Sequence, residues 1–131
     1  MLSAKVYIIS AVLMLILDTI WLTLNKPMYG KLVKSIQGSE LQVSLIPAVV
    51  AYIIMYMGMV VLVIPTILAS KDTSILNVAK IAGSFGLSVY GIFNATNMAI
   101  FKNYSVSTAI LDTVWGTLLY TFVAFMVVRF A

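Results

Sequence analysis

Four long apolar stretches constrain this chain more than anything else in it: Val6 to Leu24, Val43 to Ala69, Ile81 to Phe101 and Val106 to Val128. A helix needs about 20 apolar residues to cross roughly 30 Å of hydrocarbon, and each stretch is of that order. Inside a bilayer the backbone must satisfy its own N–H and C=O groups, so these stretches have to be helices. Composition points the same way. Of the 131 residues, 63% are hydrophobic and 9% charged, where a soluble domain is about a quarter charged. The expected fold is all-α: residues 1–131 form a single four-transmembrane-helix bundle with both termini on the same side. The first stretch is too long for a removable signal peptide and lacks a small-residue cleavage site, so it reads as a retained span.

The connections differ in length. Ser70 to Ser74 and Lys102 to Ser105 are short enough to join antiparallel neighbours. The first connection is longer, and after Pro27 its apolar residues fall at Met28, Tyr29, Leu32, Val33 and Ile36, with Lys31 and Lys34 between them. That is helical spacing opened by a proline at a permitted position. It fits either an amphipathic helix lying in the headgroup layer or a helical extension of the first span. Pro47 and Pro65 stand near the two ends of the second span, where a missing amide donor is cheapest.

Basic residues do not orient the bundle. Side A, with both termini and the Ser70 to Ser74 loop, carries Lys5, Lys71, Lys80 and Arg129; side B carries Lys26, Lys31, Lys34 and Lys102. Four against four gives the positive-inside rule nothing to act on. The net charge of +4 is spread over span ends, without the interleaved aromatic cluster of a nucleic-acid site. Neither cysteine nor histidine occurs, which excludes zinc sites of the Cys/His type, thiol nucleophiles, disulfides and imidazole relays. No cofactor or metal motif is present.

Two of the spans share a motif. Ile16-Leu17-Asp18-Thr19-Ile20-Trp21-Leu22-Thr23-Leu24 returns as Ile110-Leu111-Asp112-Thr113-Val114-Trp115-Gly116-Thr117-Leu118, identical at seven of nine positions. The first and fourth spans run in opposite directions, so the copies are antiparallel. Asp18 lies eight residues before Lys26, about 12 Å of helix, and Asp112 six residues into the fourth span, about 9 Å from the same side. Asn94 and Asn97 precede Lys102 by eight and five residues. All four polar side chains therefore fall in one layer between the midplane and side B.

Helical angles narrow this further. Tyr90, Asn94, Asn97 and Phe101 stay within about 60° of one another at 100° per residue. Ser84, Ser88, Gly91, Ala95 and Ala99 make a second face of small residues, suited to close approach by another helix or another copy of the chain. Asp18 shares its face with Ala11, Met14 and Asn25, and Asp112 with Thr108, Gly116 and Leu119. An aspartate at the centre of a spanning helix costs about 2.5–3.5 kcal/mol on the insertion scale, and no lysine or arginine lies at its depth. The expectation is that Asp18, Asn94, Asn97 and Asp112 converge inside the bundle as a ligand site. Two acids facing one cavity would repel and share a proton. The bland alternative for the asparagines is helix-to-helix glue. Trp21 is within reach of a headgroup belt. Trp115 is too deep for one, and its indole N–H should donate to a neighbouring polar group. Tyr52 and Tyr56 read as packing residues, with Tyr52 at a depth where its hydroxyl adds to the site.

Asp18-x-x-Trp21, Tyr90-x-x-x-Asn94-x-Thr96-Asn97 and Asp112-x-x-Trp115-Gly116, taken in that order, resemble the signature of a small four-helix family. It is catalogued as domain of unknown function 2177 and labelled "predicted membrane protein". The resemblance spans essentially the whole chain and implies the fold and the same polar layer, but no reaction. In the family's pattern the position of Asn94 is usually an aspartate, so this chain is one carboxyl group short and a three-acid mechanism is in doubt.

Three functions fit. The first is binding or transport of an ion or small solute by a homo-oligomer, because an all-oxygen donor set suits protons or hard cations. The second is an intramembrane enzyme using the acids on a lipid or isoprenoid, which a lipid-shaped cavity opening sideways at the aspartate layer would favour. The third is a non-catalytic subunit or scaffold whose aspartates meet a cation on a partner.

Overall fold

The computed structural model describes residues 2–131. Five helices follow in order: α1 (Ala4–Leu24), α2 (Lys26–Gln37), α3 (Leu45–Ser70), α4 (Ile75–Ile100) and α5 (Val106–Phe130). All but α2 are long and apolar enough to cross a membrane. The protein is an all-helical integral membrane protein.

Serines set where three of the four spans begin. Ser3, Ser74 and Ser105 each accept from a backbone amide three residues on, at 3.3 Å, meeting one of the donors that a helix start leaves free. The cap at Ser74 explains why α4 starts six residues earlier than the apolar stretch read from Ile81. Asn77 and Lys80 make its first turns polar, so hydrophobicity alone misses them, whereas the capped backbone includes them. At the other end of the bundle, α1 and α2 are separated by Asn25 alone (φ −106°, ψ 16°), whose side chain donates to the Trp21 carbonyl at 2.9 Å. Helix α2 is thus a distinct element. It stops at Gly38, whose φ of 76° is the left-handed conformation that glycine adopts without strain. Its buried or half-buried residues are Met28, Tyr29, Gly30, Leu32, Val33 and Ile36, while Lys31 and Lys34 are exposed.

Helix α5 is the central post, packing on each of the other four helices. The tightest core lies in the half of the bundle toward the α3–α4 loop, where Ile64, Ile67, Val78, Tyr120 and Val123 are fully buried. Two π-helical turns, Gly58–Val63 in α3 and Ala79–Gly83 in α4, face each other there. The first immediately precedes Pro65, which has no amide to continue the ordinary ladder, and the Ile64 amide donates five residues back to Met59. Tyr120 Oη donates to the Met55 carbonyl at 2.8 Å just ahead of that turn. Around the same end, Leu2 shares a groove with Pro65 and Leu68, and Arg129 donates to the Thr73 carbonyl at 3.4 Å.

Helices α4 and α5 approach most closely where glycines meet. A Cβ on Gly86 would run into the Gly116 carbonyl, and one on Gly116 into the Tyr90 ring. The small-residue face read from the sequence is not this one: Ser84, Ser88, Ala95 and Ala99 are exposed on the outside of α4, with Gly91 half-buried. Gly116→Ala should therefore destabilise the fold by about 1–3 kcal/mol, because the obstructing atoms belong to a packed ring base and cannot swing away. Gly30→Ala, with nothing within 4 Å of the added carbon, should be neutral or stabilising by up to about 1 kcal/mol. Unfolding midpoints of the two variants in mild detergent check both values.

Candidate functional site

Asp18 lies in the second half of α1, six residues before its end at Leu24, on the bundle-facing side, and is 7% exposed. One carboxyl oxygen accepts from Tyr52 Oη at 2.6 Å, the other from Trp115 Nε1 at 2.9 Å. Asp112, half-buried on α5, is held in the same manner. Tyr29 Oη donates to one oxygen at 2.6 Å, and Asn94 Nδ2 to the other at 2.8 Å. Each acid thus has one phenol and one N–H donor. Among the described residues neither acid pairs with a lysine or arginine, and no hydrogen bond joins the two carboxyl groups directly.

The two indoles connect the halves. Trp21 and Trp115 stack with centroids 4.7 Å apart and planes 2° from parallel. The motif copies run in opposite directions, so the stacked rings send their N–H groups to opposite acids. Trp115 reaches Asp18 directly, while Trp21 donates to Tyr29 Oη at 2.7 Å, and Tyr29 passes a hydrogen bond to Asp112. The result is one unbroken path, Tyr52–Asp18–Trp115, stacked on Trp21–Tyr29–Asp112–Asn94. Asn94, 2% exposed, extends it: its amide nitrogen also meets the Tyr90 carbonyl and Thr113 Oγ1, and its oxygen accepts from Tyr104 Oη at 2.9 Å. Burial first, then the bond to Asp112, raises the Tyr29 hydroxyl well above the usual tyrosine range, so it remains a donor at neutral pH.

Magnitudes explain the doubled donors. An aspartate at the helix centre costs about 2.5–3.5 kcal/mol on the insertion scale. A hydrogen bond is worth about 0.5–1.5 kcal/mol net, and more where one partner is charged, so two donors per acid act against a cost of that order.

Of the residues singled out in the sequence, Asp18, Asp112, Asn94, Trp115, Trp21 and Tyr52 join this network. Asn97 is half-buried, Thr96 is exposed, and neither side chain enters it among the described hydrogen bonds. Asn25 closes the end of α1 instead. Tyr90 contributes its backbone carbonyl and the ring that covers Gly116, while its hydroxyl reaches only Met55 sulfur at 3.9 Å. Trp21, at a depth within reach of a headgroup belt, is stacked on Trp115 instead. Tyr29 and Tyr104 were not anticipated. Spacing places Tyr29 among the apolar residues of α2, and the signal that finds it is its hydroxyl on the buried face of a helix that folds back beside Asp112.

Two cavities adjoin the network. One of about 380 Å³ is lined by Thr19, Leu22, Lys26, Tyr29, Leu41 and Val43, between the end of α1 and the connection from α2 to α3. Leu22 and Val43 are exposed on the bundle's outer surface, so it opens sideways. The other, about 450 Å³, is an apolar groove along α5 from Trp115 to Phe125, with Leu17 and Ile75 on its rim. Its inner end is therefore the indole that holds Asp18.

Asn94→Leu strips one donor from Asp112 and leaves Tyr104 Oη without its acceptor; it should cost about 1–3 kcal/mol of stability in detergent. Either Trp21→Phe or Trp115→Phe should abolish the strong near-ultraviolet dichroism expected of two parallel indoles 4.7 Å apart. Survival of that signal in one variant would show that the rings are not stacked.

Among known sequences, the family model described as "Predicted membrane protein (DUF2177)" matches residues 3–129. Neither the curated proteins nor the solved structures contain a match to the chain. With all but the two residues at each end inside that model, this four-span integral membrane protein belongs to the DUF2177 family.

Proposed function

We propose that the protein takes up a membrane amphiphile from the side, in the cavity between α1, α2 and the α2–α3 connection, and holds its polar end at Tyr29, which Asp112 anchors from behind. The observation that carries this is Tyr29 itself. Its hydroxyl sits between Trp21 N–H and Asp112, and its ring lines a cavity whose outer wall is the exposed pair Leu22 and Val43. An apolar slot ending on a polar pair suits a molecule with a hydrocarbon body and a hydrogen-bonding head. In this reading α2 lies in the headgroup layer, its lysines outward and its apolar face on the bundle, with both termini at the opposite side.

The same geometry weighs against a hard-cation site. A cation needs several oxygens aimed at one point, whereas the carboxyl oxygens here already accept from Tyr52, Trp115, Tyr29 and Asn94. It also weighs against a docking role in which the acids seek a partner's cation, because Asp18 is turned inward. Nothing in this reading requires a second copy of the chain. Acid–base chemistry on the bound molecule is the natural extension, since Tyr29 lines the cavity and its hydroxyl donates to Asp112.

Native mass spectrometry of the detergent-purified protein tests the proposal. The wild type should carry one retained lipid-sized adduct. Leu22→Trp, which fills the slot, should lose it, and Leu118→Trp, in the other groove, should keep it. Tyr29→Phe should weaken retention about two- to tenfold, the value of one ordinary hydrogen bond. An unliganded wild type, or an undiminished adduct in Leu22→Trp, overturns the proposal.

A further inference from the structure

Beside the slot sits a larger cavity, about 720 Å³, that shares Thr23, Lys26 and Leu41 with it. Lys26, Lys31 and Lys34 come to this second cavity from α2, and Glu40 from the connection that follows. Lys34 and Glu40 pair at 2.9 Å, both exposed. That pair accounts for Glu40, the one acid in the lining, and Lys26 and Lys31 form no ion pair among the described residues. The three lysines share one helix because α2 keeps its apolar residues on the bundle and so has its polar side free for them. Gly30, also in the wall, has no side chain to crowd the space and nothing within 4 Å of where a Cβ would stand.

The two linings are complementary: Lys26 and Lys31 line the larger cavity, while Leu22, Leu41, Val43 and Tyr29, the last hydrogen-bonded to Asp112, line the slot that shares Lys26 with it. We infer that the amphiphile is an anionic phospholipid drawn from the bilayer: its phosphate is held by Lys26 and Lys31, its glycerol ester reaches Tyr29, and its acyl chains leave sideways past Leu22 and Val43. This rests on the slot reading above and adds the chemistry of the head. Lysine suits the task because a compact ammonium on a flexible stem can follow a phosphate without demanding one fixed geometry. A zwitterionic lipid carries its own cation beside the phosphate and would place it against Lys26 and Lys31, so the site should discriminate by headgroup charge. Hydrocarbon contacts would be the same for both.

The experiment uses the full chain in nanodiscs made of equal parts phosphatidylglycerol and phosphatidylcholine with identical acyl chains, released into native mass spectrometry. The wild type should retain phosphatidylglycerol over phosphatidylcholine, by about fivefold for each lysine that contributes. Lys26→Gln with Lys31→Gln should bring the ratio to parity while a lipid is still retained. Lys26→Arg with Lys31→Arg should preserve the preference, which separates charge from folding. Lys71→Gln with Lys102→Gln, removing two exposed cations away from the cavity, should leave the ratio unchanged. Equal retention of both lipids by the wild type overturns the inference and leaves the slot intact, as does an unaltered preference in the double glutamine variant. A preference lost equally in the Lys71 and Lys102 control shows general surface charge and also overturns it. Retention of neither lipid overturns the slot reading, and this one with it.

Discussion

Two carboxyl groups, one buried and one half-buried in a membrane bundle with no cation at their depth, must be met by neutral donors, and most of the site follows from that requirement. Asp18 and Asp112 each need two donors from outside their own helix, and they obtain them from four different helices: Tyr52 on α3, Trp115 on α5, Tyr29 on α2 and Asn94 on α4. The acids therefore tie every helix of the protein into one network. Removal of either would leave phenol and indole donors unpaired in a low-dielectric interior, where such groups are costly. The repeated nine-residue motif has a simple physical sense in this setting. Two antiparallel segments with an acid and an indole one turn apart can each serve the other's acid, and parallel stacking of the indoles brings them to the required distance.

The bundle divides along its length. Toward the α3–α4 loop it is dry and close-packed, with facing π-helical turns and a fully buried Tyr120. Toward α2 it is polar and bordered by lateral cavities. The Gly86–Gly116 approach holds α4 against α5 between these regions. That contact fixes where Asn94 stands relative to Asp112. Rigid packing on one side and an ordered polar network on the other is how a helical bundle holds side chains to hydrogen-bond distances without loops to carry them.

The four spans and the polar layer were legible because both depend on local facts: hydropathy, residue spacing and a rise of about 1.5 Å per residue. Helical angle was enough to place Asn94 toward Asp112, and depth alone indicated that Trp115 would find a polar partner. What stayed hidden depended on how elements fold against one another. Tyr29 belongs to a helix whose position relative to the spans cannot be read from periodicity, and Tyr104 to a short loop that bends back over Asn94. Asn97 shares a helical face with Asn94, yet a single turn further toward the loop takes it past the carboxyl layer. Trp21 illustrates the reverse error: its depth suited a headgroup belt, but a matching indole on α5 offered a better surface. The early start of α4 was missed because a serine cap, not hydrophobicity, decides it.

Tyr29 breaks the symmetry of the repeat. On one side of the stack indole meets acid directly; on the other a phenol from a helix outside the four spans is inserted between them. A shift of α2 by the width of one hydroxyl would strand Trp21 and Asp112 together and leave Asp18 untouched. The acids are thereby made unequal: one is built into the frame, and the other reports where α2 stands.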